Sequence, residues 1–296
     1  MTQFLSLLLN GLSLGALYAL IALGFVIIFK ASEVVSFMHG SLLLLGAFLI
    51  ARLHDRLGFW PAVLVGVLVT ALVALLVERL LINRLRGAPV ISLAILTIGV
   101  DLIMLTELTR RIGSDILNVG HPWGGGTFSI GSVGISDNRA LAILVAAVLI
   151  ALFFAAFRFS DWGVAMRAAA EDGEAAALMG IRLGRVSALA WTVAGVLAAV
   201  AGLFLVGAPT PGVTPGIGAT ALRAFPAAIL GGLDSTGGAL VGGLVVGVAE
   251  SLAAGYQDQI AFLGRGFGDV VPYVVMVAVL LVRPSGLFGT RELTRV

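Results

Sequence analysis

The sequence predicts an all-α integral membrane protein, folded as a polytopic bundle of about eight to ten transmembrane helices. Of the 296 residues, 59% are hydrophobic and only 11% are charged, and the mean hydropathy is +1.10. A soluble domain of this length carries about 25% charged residues. Lipid must therefore be the solvent over most of the surface. Uncharged runs long enough to cross a bilayer also recur along the whole chain.

Nine of these runs are the predicted spans, because a helix needs about 20 apolar residues to cross roughly 30 Å of hydrocarbon. The first run is long enough to break at Asn10–Gly11, and the seventh is short and interrupted by Arg223 and Pro226. No soluble domain fits between the runs, so residues 1–296 are expected to form a single transmembrane domain. The predicted spans are 4–29, 34–51, 59–77, 88–106, 140–157, 187–208, 217–233, 237–254 and 268–282.

Two connections differ from the others. Residues 107–139 are rich in glycine and contain an alternating run from Thr127 to Val133, which predicts an extracytoplasmic loop with a small hairpin. Residues 158–186 are charged, rich in alanine and helical in character. Basic residues favour the cytoplasmic side of a membrane, and placing 158–186 there puts the larger share of the arginines on that side. With nine spans, the N-terminus would lie outside.

Glycine pairs predict close helix packing. The stretches 11–15, 238–242 and 243–247 all carry the GxxxG spacing. This spacing lets two helix backbones approach where no hydrophobic effect acts between them. The pairs predict a tight bundle and indicate little about function.

The stretch from Arg167 to Ile181 is expected to form a short helix. Acids in its early turns suit the helix dipole, small residues make one face able to approach a partner closely, and Gly180 is placed to end it. From this pattern alone, a surface helix that links two spans is the favoured interpretation, since alanine-rich helices are common.

This stretch resembles the EAA-type cytoplasmic loop of ABC importer permeases, which is the coupling helix that seats in a groove of the ATPase subunit. Further stretches resemble the LivH/LivM branch of these permeases, nearer the LivH-like half, so that the resemblance covers essentially the whole chain. These stretches are Val34–Gly40, Arg167–Phe204, Ala224–Gly232, Gly237–Glu250 and Arg283–Gly289.

The resemblance implies a subunit of an ATP-driven importer for branched-chain or other hydrophobic amino acids, in the bacterial cytoplasmic (inner) membrane. It implies two ATPase subunits that bind ATP and magnesium, a second permease (LivM-like or a second copy of this chain) and an extracytoplasmic substrate-binding protein. Close relatives move urea, short amides or aromatic acids, so these substrates stay open. The expected ATPase-coupling residues are Arg167, Glu171, Asp172, Glu174, Ala175, Ala176 and Gly180.

Ionisable residues within a span are costly unless they face a partner or water, which makes each a candidate for function. His39 either lines the translocation path or bonds to a neighbouring helix carbonyl, with neither interpretation favoured. For Asp101, a buried pair with Arg223 is favoured slightly over contact with a substrate amine or amide. Glu250 is interpreted as an interfacial carboxylate. The expected substrate-path residues are Phe37, His39, Gly40, Thr97 and Asp101.

The sequence argues against catalysis in this chain. It has no cysteine, no histidine cluster, no paired carboxylates and no Ser-His-Asp set, so neither a catalytic residue nor a metal site is predicted. It has no Walker-type loop, so no cofactor is expected in this chain, and no basic block suggests nucleic acid. A secondary transporter, with Asp101 or His39 carrying a coupling proton, remains an alternative. That alternative leaves 167–181 without a role. A membrane-embedded enzyme would need a polar cluster at one interface, and the sequence shows none.

Overall fold

A computed structural model gives the architecture of the chain. It describes residues 2–120, 122–123, 126–130, 133–207, 212–259, 262 and 266–289. Position 208 of the predicted sixth span lies outside these ranges, and so do Arg291 and Arg295, two of the arginines expected on the cytoplasmic side. Among the described residues, helices dominate and one two-stranded hairpin is present. The elements are α1 (Thr2–Ser32), α2 (His39–Leu57), α3 (Phe59–Val77), α4 (Val90–Ile112), β1 (Thr127–Ile130), β2 (Val133–Ser136), α5 (Asp137–Phe159), α6 (Asp161–Glu171), α7 (Gly173–Leu178), α8 (Leu183–Leu205), α9 (Ile217–Leu222), α10 (Ala224–Gly231), α11 (Thr236–Gly255) and α12 (Val271–Val282).

Six of the described helices are long and apolar enough to cross a membrane, namely α1, α3 with its extension to Leu85, α4, α5, α8 and α11. The other three predicted spans coincide with α2, with the pair α9–α10 and with α12. The predicted polytopic bundle is therefore confirmed. The predicted break at Asn10 is wrong: α1 continues through it, and the Asn10 side chain instead accepts a hydrogen bond from Arg139.

The bundle has two ends. The hairpin end carries the antiparallel strands β1 and β2, and there the Ser13 hydroxyl contacts the carbonyl of Arg139. The predicted hairpin is thus confirmed, although residues 131 and 132 at its turn lie outside the described ranges. The linker end carries α6 and α7, which join α5 to α8. Lys30 donates to the Asp234 carbonyl oxygen at 2.8 Å near the far end of α1.

Helices α1 and α8 form the centre of the bundle, and the peripheral helices expose their apolar side chains. In the most apolar stretch of each helix, 83% of the residues of α1 and 72% of those of α8 are buried, whereas only 11% of those of α4 and 17% of those of α5 are buried. Leu68, Ile103 and Leu144 are each more than half exposed. Since α4 and α5 expose leucine, isoleucine and valine on this scale, their outer faces are suited to lipid.

The predicted glycine contacts join α1 to α11, which run antiparallel. Gly11 faces Val248 and Gly15 faces Leu244, and a Cβ atom added at either glycine would lie within 3 Å of that partner's backbone. On α11, Gly243 and Gly247 lie equally close to the backbone of α1. The GxxxG spacing therefore acts as predicted, by allowing two backbones to touch.

Two crossings are interrupted. Helix α2 begins only at His39, so the helix predicted from position 34 starts later, after a non-helical stretch over 33–38 in which Glu33 has a positive φ of 55°. Helices α9 and α10 are separated at Arg223, where the sequence predicted an interruption, while Pro226 is accommodated in the first turn of α10. Non-helical backbone inside a membrane protein is tolerated where protein or a water-filled cavity surrounds it. Both interruptions therefore mark interior positions.

Candidate substrate path and coupling segment

The two stretches expected to line a path lie against each other. Because 33–38 is not helical, its backbone N–H groups need partners from elsewhere. The Phe37 N–H donates to Thr97 Oγ1 at 3.1 Å, and the Ser41 N–H donates to Asp101 Oδ1 at 3.2 Å. Thr97 and Asp101 are four residues apart, which places both on one face of α4. The structure thus brings together the start of α2 and the middle of α4.

Asp101 caps the first turn of α2. A carboxylate at a helix N-terminus satisfies a free N–H and interacts favourably with the helix dipole. The favoured interpretation of Asp101 as the partner of Arg223 is wrong, because Arg223 pairs with two other carboxylates. Thr97 is fully buried and also donates to the Ala94 carbonyl oxygen at 2.8 Å. Thr97 therefore acts here as a bridge between α4 and the non-helical stretch.

His39 is the first residue of α2 and is completely buried. Its ring packs on Phe25 with 4.7 Å between ring centroids, in the space left by the missing side chain of Gly24. Within the part of the chain that the structure describes, neither ring nitrogen has a hydrogen-bond partner. The bond to a helix carbonyl, which was one of the two interpretations of His39, is therefore not found in this conformation, and leaving such a group unpaired costs about 1–3 kcal/mol.

Three phenylalanines from different segments meet beside these residues. Phe225 at the start of α10 lies 5.3 Å from Phe25 and 5.7 Å from Phe37, measured between ring centroids. Phe37 and Phe225 are partly exposed, whereas Phe25 is buried. The cluster offers an apolar surface beside the start of α2 and the break between α9 and α10.

Gly40 brings the two interrupted crossings into backbone contact. A Cβ atom at Gly40 would lie 2.7 Å from the carbonyl oxygen of Gly218 in α9. Real Cβ atoms do not approach a backbone oxygen so closely, so this contact requires glycine. Gly40, predicted as a path residue, therefore sets the spacing between α2 and α9.

An ionic network that the sequence analysis missed lies at the interruption between α9 and α10. Arg223 Nη1 contacts Glu250 Oε1 at 3.0 Å and Asp269 Oδ1 at 2.9 Å, and the Tyr18 hydroxyl donates to Glu250 Oε2 at 2.8 Å. Glu250, interpreted from the sequence as an interfacial carboxylate, is only 7% exposed and has both of its oxygens paired within the chain. An arginine within a span demands an acidic partner, and this demand was a signal in the sequence that such a partner exists, although it does not distinguish Glu250 from Asp101.

The candidate coupling segment, residues 167–181, lies on two helices and not on one. Helix α6 ends at Glu171, and Asp172 is extended, with its Oδ1 accepting a hydrogen bond from the Ala175 N–H at 2.9 Å as the cap of α7. The single helix expected over 167–181 is therefore wrong, because Asp172 favours a cap conformation over a helix interior. Gly180 ends α7 as predicted: its φ is +90°, and the Ile181 N–H bonds back to the Ala176 carbonyl oxygen at 3.0 Å.

The expected coupling residues do not all face outward. Arg167 donates to the Phe157 carbonyl oxygen and lies over the Phe157 ring, which fixes α6 to the end of α5. Ala176 is 5% exposed and faces its own chain, which excludes it from a contact surface in this conformation. The remaining acids and Ala175 are exposed, and so are two large apolar residues that sequence reasoning did not select, Leu178 at 89% and Met179 at 85%.

Comparison with known proteins gives one family over nearly the whole chain. Residues 7–280 match the family described as the permease component of the branched-chain amino acid transport system. No solved structure matches the chain.

Individual relatives agree with the family match. The chain is 33% identical to LivH of Salmonella typhimurium and 32% identical to LivH of Escherichia coli K12, both named as permease proteins of a high-affinity branched-chain amino acid transport system. It is also 32% identical to BraD of Pseudomonas aeruginosa, whose name describes the same system. Each comparison covers 99% of this chain and 98% of the relative. The chain is therefore a multi-pass inner-membrane protein that belongs to the family of branched-chain amino acid ABC transport permeases.

Proposed function

We propose that this chain passes branched-chain or other hydrophobic amino acids across the inner membrane as a permease subunit of an ATP-driven importer. In this proposal an extracytoplasmic binding protein delivers the substrate at the hairpin end. ATPase subunits at the linker end bind ATP and magnesium and drive the change of state. The chain itself performs no chemistry.

The observation that carries the proposal is the exposed tip of the coupling segment. Leu178 is the last of the six residues of α7, Met179 follows it at the linker end, and both are almost fully exposed. Two adjacent large apolar side chains that are exposed on a segment of alanines and acids are typical of a protein contact. The exposed acids Glu171 and Glu174 precede this pair on the same segment and suit a basic surface on the partner.

Helix α6 is held firmly enough to transmit a displacement. Its Ser160 cap accepts a hydrogen bond from Gly163 at 3.1 Å, and Trp162 Nε1 donates to the Val186 carbonyl oxygen at 3.4 Å. Met166 is completely buried. A displacement of the tip of α7 is therefore transmitted to α8, which lies at the centre of the bundle.

The substrate class rests on the phenylalanine cluster together with the relatives. Phe37 and Phe225 present aromatic surface beside two interrupted crossings, which suits an aliphatic or aromatic side chain in transit. Urea would gain little from such a surface because it has no apolar side chain. The names of the relatives specify branched-chain amino acids, whose apolar side chains suit this aromatic surface.

The pairing with a second permease and the presence of two ATPases are part of the proposal. A single bundle has its central helices α1 and α8 packed within its own core, so a path through this chain alone would have to displace that core. A path shared with a second permease, either LivM-like or a second copy, requires no such displacement.

The test is import by the reconstituted complex. The permease is purified with its partner subunits, placed in liposomes and supplied with loaded binding protein, and uptake of labelled leucine, phenylalanine and urea is measured with and without ATP. Leucine uptake that requires ATP is the expected result. Uptake without ATPase subunits would instead establish a secondary transporter, and uptake of urea but not leucine would overturn the substrate class.

A further inference from the structure

Glu78 is a buried carboxylate that the proposed path does not use. It directly follows α3 at the linker end and is completely buried, and among the described residues neither of its oxygens has a hydrogen-bond partner. Arg79 Nε lies 3.8 Å from Glu78 Oε2, which is within ion-pair range but too long for a hydrogen bond. Acidic side chains are almost never fully buried unless they are paired. Glu78 therefore has less stabilisation in this conformation than a buried carboxylate needs.

The backbone at Glu78 is also irregular. Residues Glu78–Ile82 form a π-helical turn, in which the Asn83 N–H donates to the Glu78 carbonyl oxygen five residues earlier. Such turns are rare and occur frequently at functional sites. Because the turn holds one residue more than a regular turn, its movement along the helix would rotate each residue that it passes by about 100°. The turn is therefore a place where the end of α3 can change its orientation.

The start of α8 meets α3 at this turn. A Cβ atom at Gly184, in the first turn of α8, would lie 3.1 Å from Asn83 Oδ1 and 3.8 Å from Arg86 Nη1. One turn further along α8, Ser187 is fully buried close to the Glu78 carboxylate. The Ser187 hydroxyl likewise has no hydrogen-bond partner within the described part of the chain. A donor on α8 and an acceptor beside α3 thus lie near each other without a bond.

The middle of the same helix pair is closely packed. A Cβ atom added at Gly195 of α8 would lie 3.0 Å from the Cα atom of Ala71 and 3.0 Å from the Cβ atom of Ala74. The nearby hydroxyl of Thr70 is buried and donates to the Gly66 carbonyl oxygen at 2.8 Å. The contact between α3 and α8 is therefore complete in its middle and incomplete at the linker end.

The incomplete end is also the end that the coupling segment reaches first. Gly180 ends α7 and α8 begins at Leu183, so only two residues separate them. So short a connection leaves little slack. A displacement of α7 therefore moves the first turn of α8 against the π-helical turn before it reaches the packed middle of the helix pair.

We propose that Glu78 is a positioning residue for transport, whose carboxylate is unbonded in this conformation and accepts a hydrogen bond from Ser187 once the coupling segment has shifted the first turn of α8. A group that is bonded in one state and unbonded in the other favours the state in which it is bonded. Glu78 thereby stabilises the shifted state. This proposal rests on the proposed function for the ATPase that drives the shift.

Replacement of Glu78 by glutamine tests the proposal with two readouts. Glu78→Gln keeps the size of the side chain and removes its charge, and an unbonded amide is less costly to bury than an unbonded carboxylate. We expect a higher melting temperature of the purified complex and full retention of the ATPases. Leucine import should fall about fivefold or more, the lower end of the coupling between two sites in one protein.

Thr70→Val is the matched control, because it alters a buried polar group on α3 that is already bonded in its own helix. Its import should equal that of the parent. A lower melting temperature for Glu78→Gln would show that water or a residue outside the described ranges already bonds the carboxylate, and would overturn the proposal. Import by Glu78→Gln at the parent rate would overturn it as well.

A double-mutant cycle tests the bond between Glu78 and Ser187. Ser187→Ala should slow import to a similar degree as Glu78→Gln. The double variant should be no slower than either single variant, because both substitutions remove the same bond. Effects that multiply in the double variant would contradict the exchange.

A cross-link tests the movement itself, because the chain has no native cysteine. Asn83→Cys with Gly184→Cys joins the end of α3 to the start of α8, and Ala74→Cys with Gly195→Cys joins the packed middle. Each pair is linked by a short bifunctional thiol reagent, the link is verified by mass, and the unlinked form is the reference. Linking should stop import by the first pair and leave import by the second unchanged. Continued import by the linked first pair would contradict the movement.

The parent complex separates this inference from the proposed function. If the parent imports leucine with ATP while Glu78→Gln imports it equally fast, the role of Glu78 is wrong and the proposed function stands. If the parent itself imports no leucine, the proposed function fails and this inference fails with it.

Discussion

Asp101 accepts a hydrogen bond from the backbone N–H of Ser41 at 3.2 Å, so that a carboxylate from α4 caps a helix that begins inside the bundle. This bond ties the late start of α2 to a second crossing. It also explains why an acid is present in an apolar span without an arginine as its partner.

Removal of the Asp101 carboxylate should loosen the start of α2. Asp101→Ala leaves the Ser41 N–H without its acceptor, and we expect a loss of about 1 kcal/mol in stability. The measurement is the melting temperature of the purified permease. Asp115→Ala is the control, since Asp115 lies in an exposed position after α4. An unchanged melting temperature for Asp101→Ala would contradict the capping role.

A methyl group at Gly40 should separate α2 from α9. Gly40→Ala places a Cβ atom against the Gly218 carbonyl oxygen, and overpacking of this kind costs about 1–3 kcal/mol. Gly99→Ala is the matched control, because no atom lies within 4 Å of the added Cβ at that position. Both proteins are compared by thermal melting and by leucine import. Equal behaviour of the two variants would show that the contact does not matter.

Replacement of His39 by leucine should raise the stability of the permease and slow its transport. Among the described residues its two ring nitrogens lack partners, so an apolar side chain of similar size removes a penalty of about 1–3 kcal/mol. If His39 contacts water or substrate in another state, the more stable variant should import more slowly. We expect a higher melting temperature and slower leucine uptake. A lower melting temperature would show that His39 is already satisfied.

Gly180 should be needed for the exit from α7. Because φ at Gly180 is +90°, a β-branched residue there costs about 1–2 kcal/mol locally. It also changes the direction in which the chain leaves α7 on its way to α8. Gly180→Val should therefore weaken co-purification of the ATPases while the permease still inserts. Gly87→Val is the control because Gly87 has nearly the same φ, +91°, and also has open space around it. Equal retention of the ATPases by both variants would contradict the prediction.

The sequence predicted the bundle well because its signals are local. Span length, the glycine pairs of α1 and α11 and the glycine end of α7 each depend on a few neighbouring residues. Asp172 shows the limit, since the alanine-rich pattern around it predicted one helix and its capping bond divides that helix into two.

Contacts between residues that are distant in sequence could not be predicted. Tyr18, Arg223 and Glu250 meet only after the helices pack, and nothing near Arg223 in the sequence distinguishes Glu250 from Asp101 as its partner. The exposure of Leu178 and Met179 likewise depends on how α7 projects from the bundle.

The central claim is that the tip of α7 couples this permease to ATP hydrolysis, and the most direct measurement is substrate-stimulated ATPase activity of a complex with an altered tip. Leu178→Ser with Met179→Ser removes both exposed apolar side chains, and Leu281→Ser, at a position that is 81% exposed on α12, is the control. We expect the tip variant to insert normally, to lose its ATPases on purification and to show at least a tenfold lower stimulated rate, with Leu281→Ser unaffected. A tip variant that keeps its ATPases and hydrolyses ATP in step with leucine import would contradict the account.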